Sequence, residues 1–320
     1  MTRIRILDFP VRRGKAATLK ALVAAVAAEP DPPDVLVFSD ANTLFEPEAM
    51  ERLLAPFADP RVGGVCGRLI LTDPAGRAQA ETGYWAWENR LKERESRLDS
   101  CLGANGAIYA VRRELFWRAL PDNAIVDDFV IGMKVRAAGW RMLYEPAAVA
   151  REPAPAPDSE WARRVRIGMG DWQALGLCAE CLRPRHGLWA GMFLSHKVLR
   201  WLTPHAGLLL LIGAGGLYAD WLGREPRSAF DPALWLAAGI VGAVGAGLVC
   251  AVLSARPTAS RFVRKIGHFT RMQMALFVGF LRFVFGSRKR LRGSWARTPR
   301  EGEGEGKSEI RNTQARRKSE

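Results

Sequence analysis

The first half of the chain alternates short apolar runs with stretches in which apolar positions recur every three or four residues. After Gly14 and Lys15, apolar residues at 16, 19, 22, 23 and 26 predict a helix with one buried face. The run VLVF at 35–38 leads into a turn, which predicts a strand covered on both faces in a parallel sheet. The stretch RIRILDF at 3–9 predicts a further strand, so the order is strand, helix, strand, as in an α/β domain.

The same patterns predict the remaining elements up to residue 186. Strands are expected at 62–71, in the stretch that ends at Arg112 and Arg113, and at 140–146. Helices are expected at 46–57, 91–98, 115–120, 127–139 and 160–173.

From Gly187 onward the chain becomes strongly apolar. The segments 207–218 and 233–253 contain no charged residue. The second has about 21 residues, which at ~1.5 Å per residue spans a hydrocarbon core of ~30 Å. Residues 187–202 mix aromatic and basic side chains, as in a helix that lies at the membrane interface. A third apolar run at 272–285 is interrupted by an arginine, so two or three membrane-associated helices are expected.

The formal net charge of +14 over 320 residues is compatible with a nucleic-acid-binding protein. Much of the positive charge, however, flanks the apolar segments, at 256–265, 288–292 and 316–318. Basic flanks of this kind are typical of the cytoplasmic side of a membrane protein. The first half of the chain also has no platform of interleaved aromatic and basic residues, so no nucleic-acid partner is expected.

Asp40 and Asn42 directly follow the predicted strand at 35–38. In open α/β sheets, ligands bind beyond the carboxyl ends of the strands, which is where these two side chains would lie. Two oxygen-bearing side chains one residue apart can share a hard divalent cation, and that cation can neutralise a diphosphate. The alternative is an ordinary Asx turn after a strand.

Two neighbouring carboxylates, Asp127 and Asp128, begin another predicted helix. The helix dipole and the free amides at a helix N-terminus favour the ionised form of a carboxyl group, which suits a general base. The alternative is a capping pair. Lys15 also stands at a helix start, where free backbone N–H groups and a cation together can contact a phosphate.

Small residues and arginines provide further candidate binding groups. The stretch GANG at 103–106 has small side chains, so another molecule can come close to its backbone. Arg163, Arg164 and Arg166 crowd one predicted helix, which favours a phosphate ligand. The alternative for these arginines is the solvated face of an amphipathic helix.

Six segments, taken in order, resemble a membrane-bound family 2 glycosyltransferase, the group that includes cellulose, hyaluronan and poly-N-acetylglucosamine synthases. They are GKAATLK at 14–20, SDAN at 39–42, GANGAIYAVRR at 103–113, VDDF at 126–129, RRVRIGMGDWQ at 163–173 and SHKVLRWLTP at 195–204. Each string is weak evidence by itself, but six in the family's order, followed by membrane segments, are specific.

The resemblance implies a GT-A-like α/β fold and a role for each matching residue. Asp128 would be the general base that deprotonates the acceptor hydroxyl, with Asp127 as its neighbour in the family's acidic pair. Asp40 would lie by the nucleotide diphosphate, and Asn42 would occupy the metal-binding position of the family's D-x-D motif. The other implied substrate-binding residues are Gly103, Asn105 and Gly106 on the acceptor side and Arg163, Arg164 and Arg166 on the pyrophosphate.

Three departures from the family's pattern bear on these roles. Asn42 replaces a carboxylate, which weakens metal affinity without abolishing it, because Asn still offers a carbonyl oxygen. Ile167 stands where processive synthases have Trp. The family's first strand and the Asp-rich segment that grips the nucleotide base have no counterpart before Gly14, so we expect an N-terminally truncated glycosyltransferase.

Together with this resemblance, the sequence predicts an inverting, multi-pass glycosyltransferase of the inner membrane with a cytoplasmic catalytic domain. It would transfer a sugar from a nucleotide-sugar, UDP-linked, to a glycan or lipid acceptor, with Mg or Mn as cofactor. The expected domains are a partial GT-A-like domain at 1–186, an interfacial helix at 187–202, a membrane region at 203–292 and a disordered basic tail at 293–320. One alternative is a non-catalytic, membrane-anchored remnant that binds a partner or glycan, and another is a basic nucleic-acid-binding protein.

Overall fold

The structure is a computed structural model that describes residues 4–11, 13–73, 83–154, 157–223, 230–254, 256 and 258–286. The described residues fall into two compact units. The first unit extends to Arg163 and resumes at Gln173–Leu194, and the second comprises Arg164–Trp172 and Ser195–Phe285. The predicted tail at 293–320 lies outside the described residues.

A five-stranded mixed sheet forms the centre of the first unit. Its strands are β1 (Val35–Phe38), β2 (Leu44–Phe45), β3 (Val62–Thr72), β4 (Tyr109–Arg112) and β5 (Arg141–Pro153). They lie side by side in the order β1–β4–β3–β5–β2. β3 and β5 run parallel, whereas the other neighbouring pairs are antiparallel. β5 extends seven residues beyond the predicted 140–146, because its second half continues to pair with β3 as far as Thr72 opposite Pro153.

The strand that precedes Asp40 exists as predicted but has different neighbours. Among the described strands β1 pairs with β4 alone, antiparallel, from Val35 opposite Arg112 to Phe38 opposite Tyr109. Its residues alternate between half-buried and buried. The prediction of a parallel strand covered on both faces is therefore wrong, because a four-residue apolar run carries no information about which strand will pair with it.

The helices of the first unit agree with the predicted positions in most cases. They are α1 (Lys15–Ala27), α2 (Ala49–Leu54), α3 (Gly83–Leu98), α4 (Asp127–Ala137), α5 (Pro157–Leu177) and α6 (Leu188–Met192). The middle of α5 belongs to the second unit.

Two predicted elements do not form. Residues 4–9 have no regular secondary structure, and Ile4 and Ile6 are more than four-fifths exposed, because no neighbouring strand pairs with them. Residues 115–120 are not a helix either: a 3-10 turn ends at Leu115, and Leu120 precedes Pro121. A residue that precedes proline is disfavoured in helical conformation, which explains why the apolar pattern there misleads.

The core of the first unit lies where α2 packs on the sheet. Its fully buried residues include Leu53 of α2, Val62 and Val65 of β3, and Ile108 beside β4. A glycine in β3 also allows close packing with α4. A Cβ atom added to Gly63 would lie 2.6 Å from Trp140 Cβ and 2.9 Å from Val135 Cγ1, so α4 and the residue before β5 leave no room for a side chain.

The second unit is helical. Its main elements are α7 (Leu199–Gly223), α8 (Pro232–Leu253) and α9 (Arg261–Phe285). A π-helical turn at Phe193–Val198 joins α6 to α7. The helical segments Leu188–Gly223 and Pro232–Leu253 are long and apolar enough to cross a membrane. The third apolar run lies in α9, whose backbone touches α8: a Cβ on Gly267 would collide with the Cys250 carbonyl oxygen.

Gly63→Ala should destabilise the protein by about 1–3 kcal/mol, because the added methyl group overpacks the space between β3 and α4. The measurement is chemical unfolding of the detergent-solubilised chain followed by circular dichroism. Gly191→Ala is the matched control, because a Cβ there meets no atom within 4 Å. Equal stability of the two variants would contradict the packing described for β3.

Candidate active site

The N-terminus of α4 presents two carboxylates with different surroundings. Asp127 is 2% exposed, whereas Asp128 is half-buried. The backbone N–H of Phe129 donates to Asp128 Oδ1 at 2.9 Å. The first amides of a helix have no partner within the helix, so a carboxylate there accepts hydrogen bonds and is stabilised by the dipole. Asp128 is thereby held in one orientation.

The glycine-rich loop before β4 supplies the second contact to Asp128. The N–H of Gly106 donates to Asp128 Oδ2 at 2.6 Å. A Cβ at Gly106 would lie 3.0 Å from that oxygen and 3.2 Å from Lys15 Nζ, so a side chain at this position would displace one or both groups. Gly103 adopts a φ of 79°, and a Cβ there would collide with Phe129. The backbone carbonyl of Asn105 accepts from Ile108 N–H at 3.1 Å, and its side-chain oxygen accepts from Ala107 N–H at 3.4 Å.

Lys15, at the start of α1, brings the carboxylates of two other segments together. Its Nζ donates to Asp40 Oδ1 at 2.9 Å and lies 3.8 Å from Asp127 Oδ2. The side chain of Lys15 is 21% exposed and that of Asp40 is 34% exposed, so the cluster lies at the edge of solvent. The starts of α1 and α4 and the end of β1 therefore converge on one ammonium group.

The charges of this cluster shift one another's titration. Burial raises the pKa of Asp127 to about 7, assisted by the charges of Asp128 and Asp40 and opposed by Lys15. Burial works against the charge of Lys15, but the three carboxylates outweigh it and raise the pKa of Lys15. Near neutral pH, Asp127 can therefore hold or release a proton while Lys15 stays charged.

Sequence reasoning missed two residues near this cluster. The Tyr109 hydroxyl is buried and has no hydrogen-bond partner among the described residues, and its ring stacks on Phe38 at 4.8 Å. Burial, together with Asp127 and its neighbouring carboxylates, raises the pKa of Tyr109 well above its ordinary value. Burial lowers the pKa of Lys92 on α3, but negative groups that include Asp128 raise it by more. Tyr109 lies within the segment GANGAIYAVRR, so its place in a family motif could have marked it as a candidate site residue. Lys92 lies in none of the six matching segments, and its sequence context carries no such signal.

Asn42 does not join the cluster through any described contact. It is exposed in the turn that the hydrogen bond from Thr43 N–H to the Asp40 carbonyl closes at 3.1 Å. Within the described ranges, no group of three or more His, Cys, Asp or Glu side chains could hold a metal ion. Metal binding by Asp40 and Asn42 therefore stays a prediction.

Comparison with known proteins decides the family. The sequence profile described as "Glycosyltransferase like family 2" matches residues 2–167. The chain belongs to this family. No curated protein matches the glycosyltransferase in sequence. Among solved structures, it is similar to the mannosyltransferase PcManGT from Pyrobaculum calidifontis, in complex with GDP-Man and Mn2+, at 20% identity and a TM-score of 0.57. The match covers 87% of this chain and 69% of PcManGT.

These findings confirm the predicted GT-A-like fold and the transfer of a sugar from a nucleotide-sugar.

The three arginines of the predicted diphosphate site lie on α5. Arg163 Nη1 is 3.6 Å from Glu160 Oε2. Arg164 and Arg166 lie in the part of α5 that belongs to the second unit. The assignment of all three to the diphosphate stays a prediction.

The pKa of Asp127 predicts a pH dependence of stability. Its ordinary value is 3.8 and its value in the folded glycosyltransferase is about 7, so between these values the folded state binds a proton that the unfolded state has released. This contribution weakens folding by about 1.4 kcal/mol per pH unit as pH rises through that window. Asp127→Asn lacks this pH-dependent contribution, because an amide does not titrate between pH 3.8 and 7.

As pH rises from 5 to 7, the unmodified chain should lose this stability and Asp127→Asn should not. The free energy of unfolding of the variant should therefore increase relative to that of the unmodified chain. Thermal unfolding in detergent at several pH values measures it. Asp59→Asn is a suitable control, because the pKa of Asp59 is lowered to about 2 by its hydrogen bonds with Arg61. A difference that does not change with pH would contradict the raised pKa of Asp127.

Gly106→Ala should lower the glycosyltransferase activity at least about tenfold while leaving the fold intact, because the added Cβ displaces Asp128 or Lys15. Release of nucleoside diphosphate measures the activity, and circular dichroism measures the fold. Gly176→Ala is the control, since a Cβ there meets nothing within 4 Å. Full activity of Gly106→Ala would show that the position of Asp128 Oδ2 does not matter for transfer.

Proposed function

We propose that the chain is an inverting transferase that moves a sugar from a UDP-linked donor to a hydroxyl group of a glycan or lipid. One observation carries this proposal: Lys15, Asp40, Asp127 and Asp128 come from three separate segments and converge around a single ammonium group. An inverting transfer needs one carboxylate base for the acceptor and positive charge for the leaving diphosphate, and this cluster contains both.

Asp128 acts as the base in the proposed reaction. The acceptor oxygen attacks the anomeric carbon, its proton passes to the Asp128 carboxylate, and the bond from the anomeric carbon to the diphosphate oxygen breaks, with the electron pair leaving on the diphosphate. The two N–H contacts, from Gly106 and Phe129, fix the carboxylate without using all of its lone pairs. No covalent intermediate with the protein is needed.

Asp127 has a supporting role in this scheme. Its Oδ2 is buried and makes no hydrogen bond to the described residues, and its nearest described cation is Lys15 at 3.8 Å. A carboxyl group with a pKa of about 7 adjusts the charge beside the base as pH changes. Asp127 therefore tunes the charge near Asp128 and holds Lys15 in place.

Lys15 provides positive charge for the leaving group. In the structure, Asp40 and Asp127 share the ammonium group of Lys15. A diphosphate that enters next to Lys15 replaces one of these carboxylates as its anionic partner. Because Lys15 stays charged near neutral pH, it stabilises the negative charge that develops on the diphosphate. The arginines of α5, Arg163, Arg164 and Arg166, are proposed to add to this charge.

A divalent cation, Mg or Mn, fits the donor side of the proposed site. Asp40 offers a carboxylate and Asn42 a carbonyl oxygen in the same turn. Mg²⁺ is commonly held by one or two carboxylates, with substrate phosphates and water as its other ligands, so this set is sufficient. When bound, such a cation neutralises diphosphate charge. The Mn2+ present with GDP-Man in the PcManGT structure supports this choice.

The proposed location rests on the second unit. Two helical segments are apolar enough to cross a membrane, and residues such as Leu209, Ile212 and Val252 on them are more than half exposed. Burial of such side chains in lipid removes apolar surface from water. We propose a multi-pass protein of the inner membrane with the transferase unit on the cytoplasmic side, where nucleotide-sugars and basic flanks are both expected.

Asp128→Asn and Asp40→Ala should affect different steps. In Asp128→Asn we expect turnover to fall at least about 10²-fold, since the base is lost, with little change in nucleotide affinity. In Asp40→Ala we expect Mn2+-dependent nucleotide binding to weaken about tenfold. Calorimetry with UDP, and with GDP as the comparison, measures binding by the detergent-solubilised chain with Mn2+ or with EDTA. Release of nucleoside diphosphate from a panel of UDP- and GDP-sugars measures turnover.

Asp59→Asn serves as the control for loss of an aspartate charge, because Asp59 pairs with Arg61 at the surface. Wild-type turnover in Asp128→Asn would remove this residue from the role of base. Binding of GDP but not UDP would correct the donor while keeping the reaction. Absence of nucleotide binding by the unmodified chain, with and without Mn2+, would favour the non-catalytic, membrane-anchored alternative.

A further inference from the structure

A cleft of about 590 Å³ opens in the first unit beside the second half of α4. Three segments line it: α4 with Lys134, the chain after β4 with Trp117 and Arg118, and the turns after α5 with Glu180 and Arg183. None of Lys15, Asp40, Asp127 and Asp128 is among its lining residues. Its volume is in the range of pockets that hold small molecules.

The charges that line the cleft are mainly positive. The basic residues are Arg118, Lys134, Arg183 and Arg185, and the acidic residues are Glu114 and Glu180. Lys134 and Glu180 neutralise each other, because Lys134 Nζ lies 2.5 Å from Glu180 Oε1. Three guanidinium groups then face one remaining carboxylate, so the cleft attracts anions.

Two of these guanidinium groups are available to a ligand. Within the described part of the chain, the side chains of Arg118 and Arg183 make no hydrogen bond and no ion pair at salt-bridge distance. The third, Arg185, donates from Nε to His186 Nε2 at 3.3 Å, which leaves its other N–H groups free of that contact. A guanidinium group offers paired N–H donors that match the oxygens of a phosphate.

Lys134 is less exposed than the three arginines of the cleft. The side chain of Lys134 is only 11% exposed, and its Nζ lies 4.3 Å from the centre of the Trp117 ring. Lys134 is therefore held both by Glu180 and by an aromatic face. An anion that enters the cleft therefore meets exposed guanidinium groups, whereas Lys134 is already engaged by Glu180 and Trp117.

We propose that this cleft binds a small phosphorylated molecule, with Arg118 and Arg183 as its principal ligands. A phosphate monoester carries up to two negative charges near neutral pH and three acceptor oxygens, which suits several guanidinium groups better than a single carboxylate does. The site is separate from the donor site and does not depend on the proposed transferase reaction.

The experiment uses the detergent-solubilised full chain in EDTA, titrated with inorganic phosphate and observed by ³¹P NMR. We expect the dissociation constant for phosphate to rise at least about tenfold in Arg118→Ala/Arg183→Ala. The matched control is Arg52→Ala/Arg97→Ala, which removes two surface arginines that pair with Glu48 and Glu93 instead. In the control, the constant should stay within about twofold of the unmodified chain.

Two further variants keep the proposal testable if the double variant does not fold. Arg118→Gln removes one exposed guanidinium group and should weaken phosphate binding by itself. Glu114→Gln removes the remaining acidic charge of the cleft and should tighten it. Malonate, a dicarboxylate, is titrated in parallel, and we expect it to bind more weakly than phosphate.

Several results would overturn the proposal. One is unchanged phosphate binding in Arg118→Ala/Arg183→Ala or in Arg118→Gln. Another is tighter binding of malonate than of phosphate, which would identify a carboxylate site. A third is loss of phosphate binding in Lys15→Ala with full binding in the cleft variants, which would place the phosphate in the donor site.

Discussion

The ammonium group of Lys15 is the charge on which the carboxylate cluster of the first unit depends. Asp40, Asp127 and Asp128 lie around this cation, with Lys15 Nζ at 2.9 Å from Asp40 and 3.8 Å from Asp127. A buried carboxylate without such a partner costs several kcal/mol or takes up a proton. Asp127 lies between these outcomes, because burial raises its pKa to about 7 although Lys15 is near.

The backbone around this cluster is shaped to hold it. The Gly106 N–H reaches Asp128 because no side chain stands between them, and α4 contributes a second N–H to the same carboxylate. α4 is itself anchored at its other end, where Arg136 donates to both oxygens of Asp99 at 2.6 and 2.8 Å. The acidic pair is thus carried by a helix that is fixed at both ends, which suits a catalytic group.

α4 has a different chemical environment at each end. Its first turn carries two members of the carboxylate cluster, and its later residue Lys134 contacts Glu180 and Trp117 in the cleft.

The helices of the second unit pack through small residues. Gly267 and Gly279 let α9 approach the backbone of neighbouring helices. Small residues that let helix backbones approach closely are typical of helix interfaces in membranes, where the hydrophobic effect does not drive helices together.

The sequence by itself determined the elements with strong local signals and the residues that carry the family's motifs. The apolar repeat after Gly14, the long run at 62–71 and the acidic start of α4 all formed as predicted, because each signal lies within one element. The tertiary structure decided what depends on distant contacts. It paired β1 antiparallel with β4, left residues 4–9 without a partner strand and placed Tyr109 and Lys92 near the carboxylates. The raised pKa of Asp127 belongs to the same class, since burial and charge at one residue are set by segments far away in the chain.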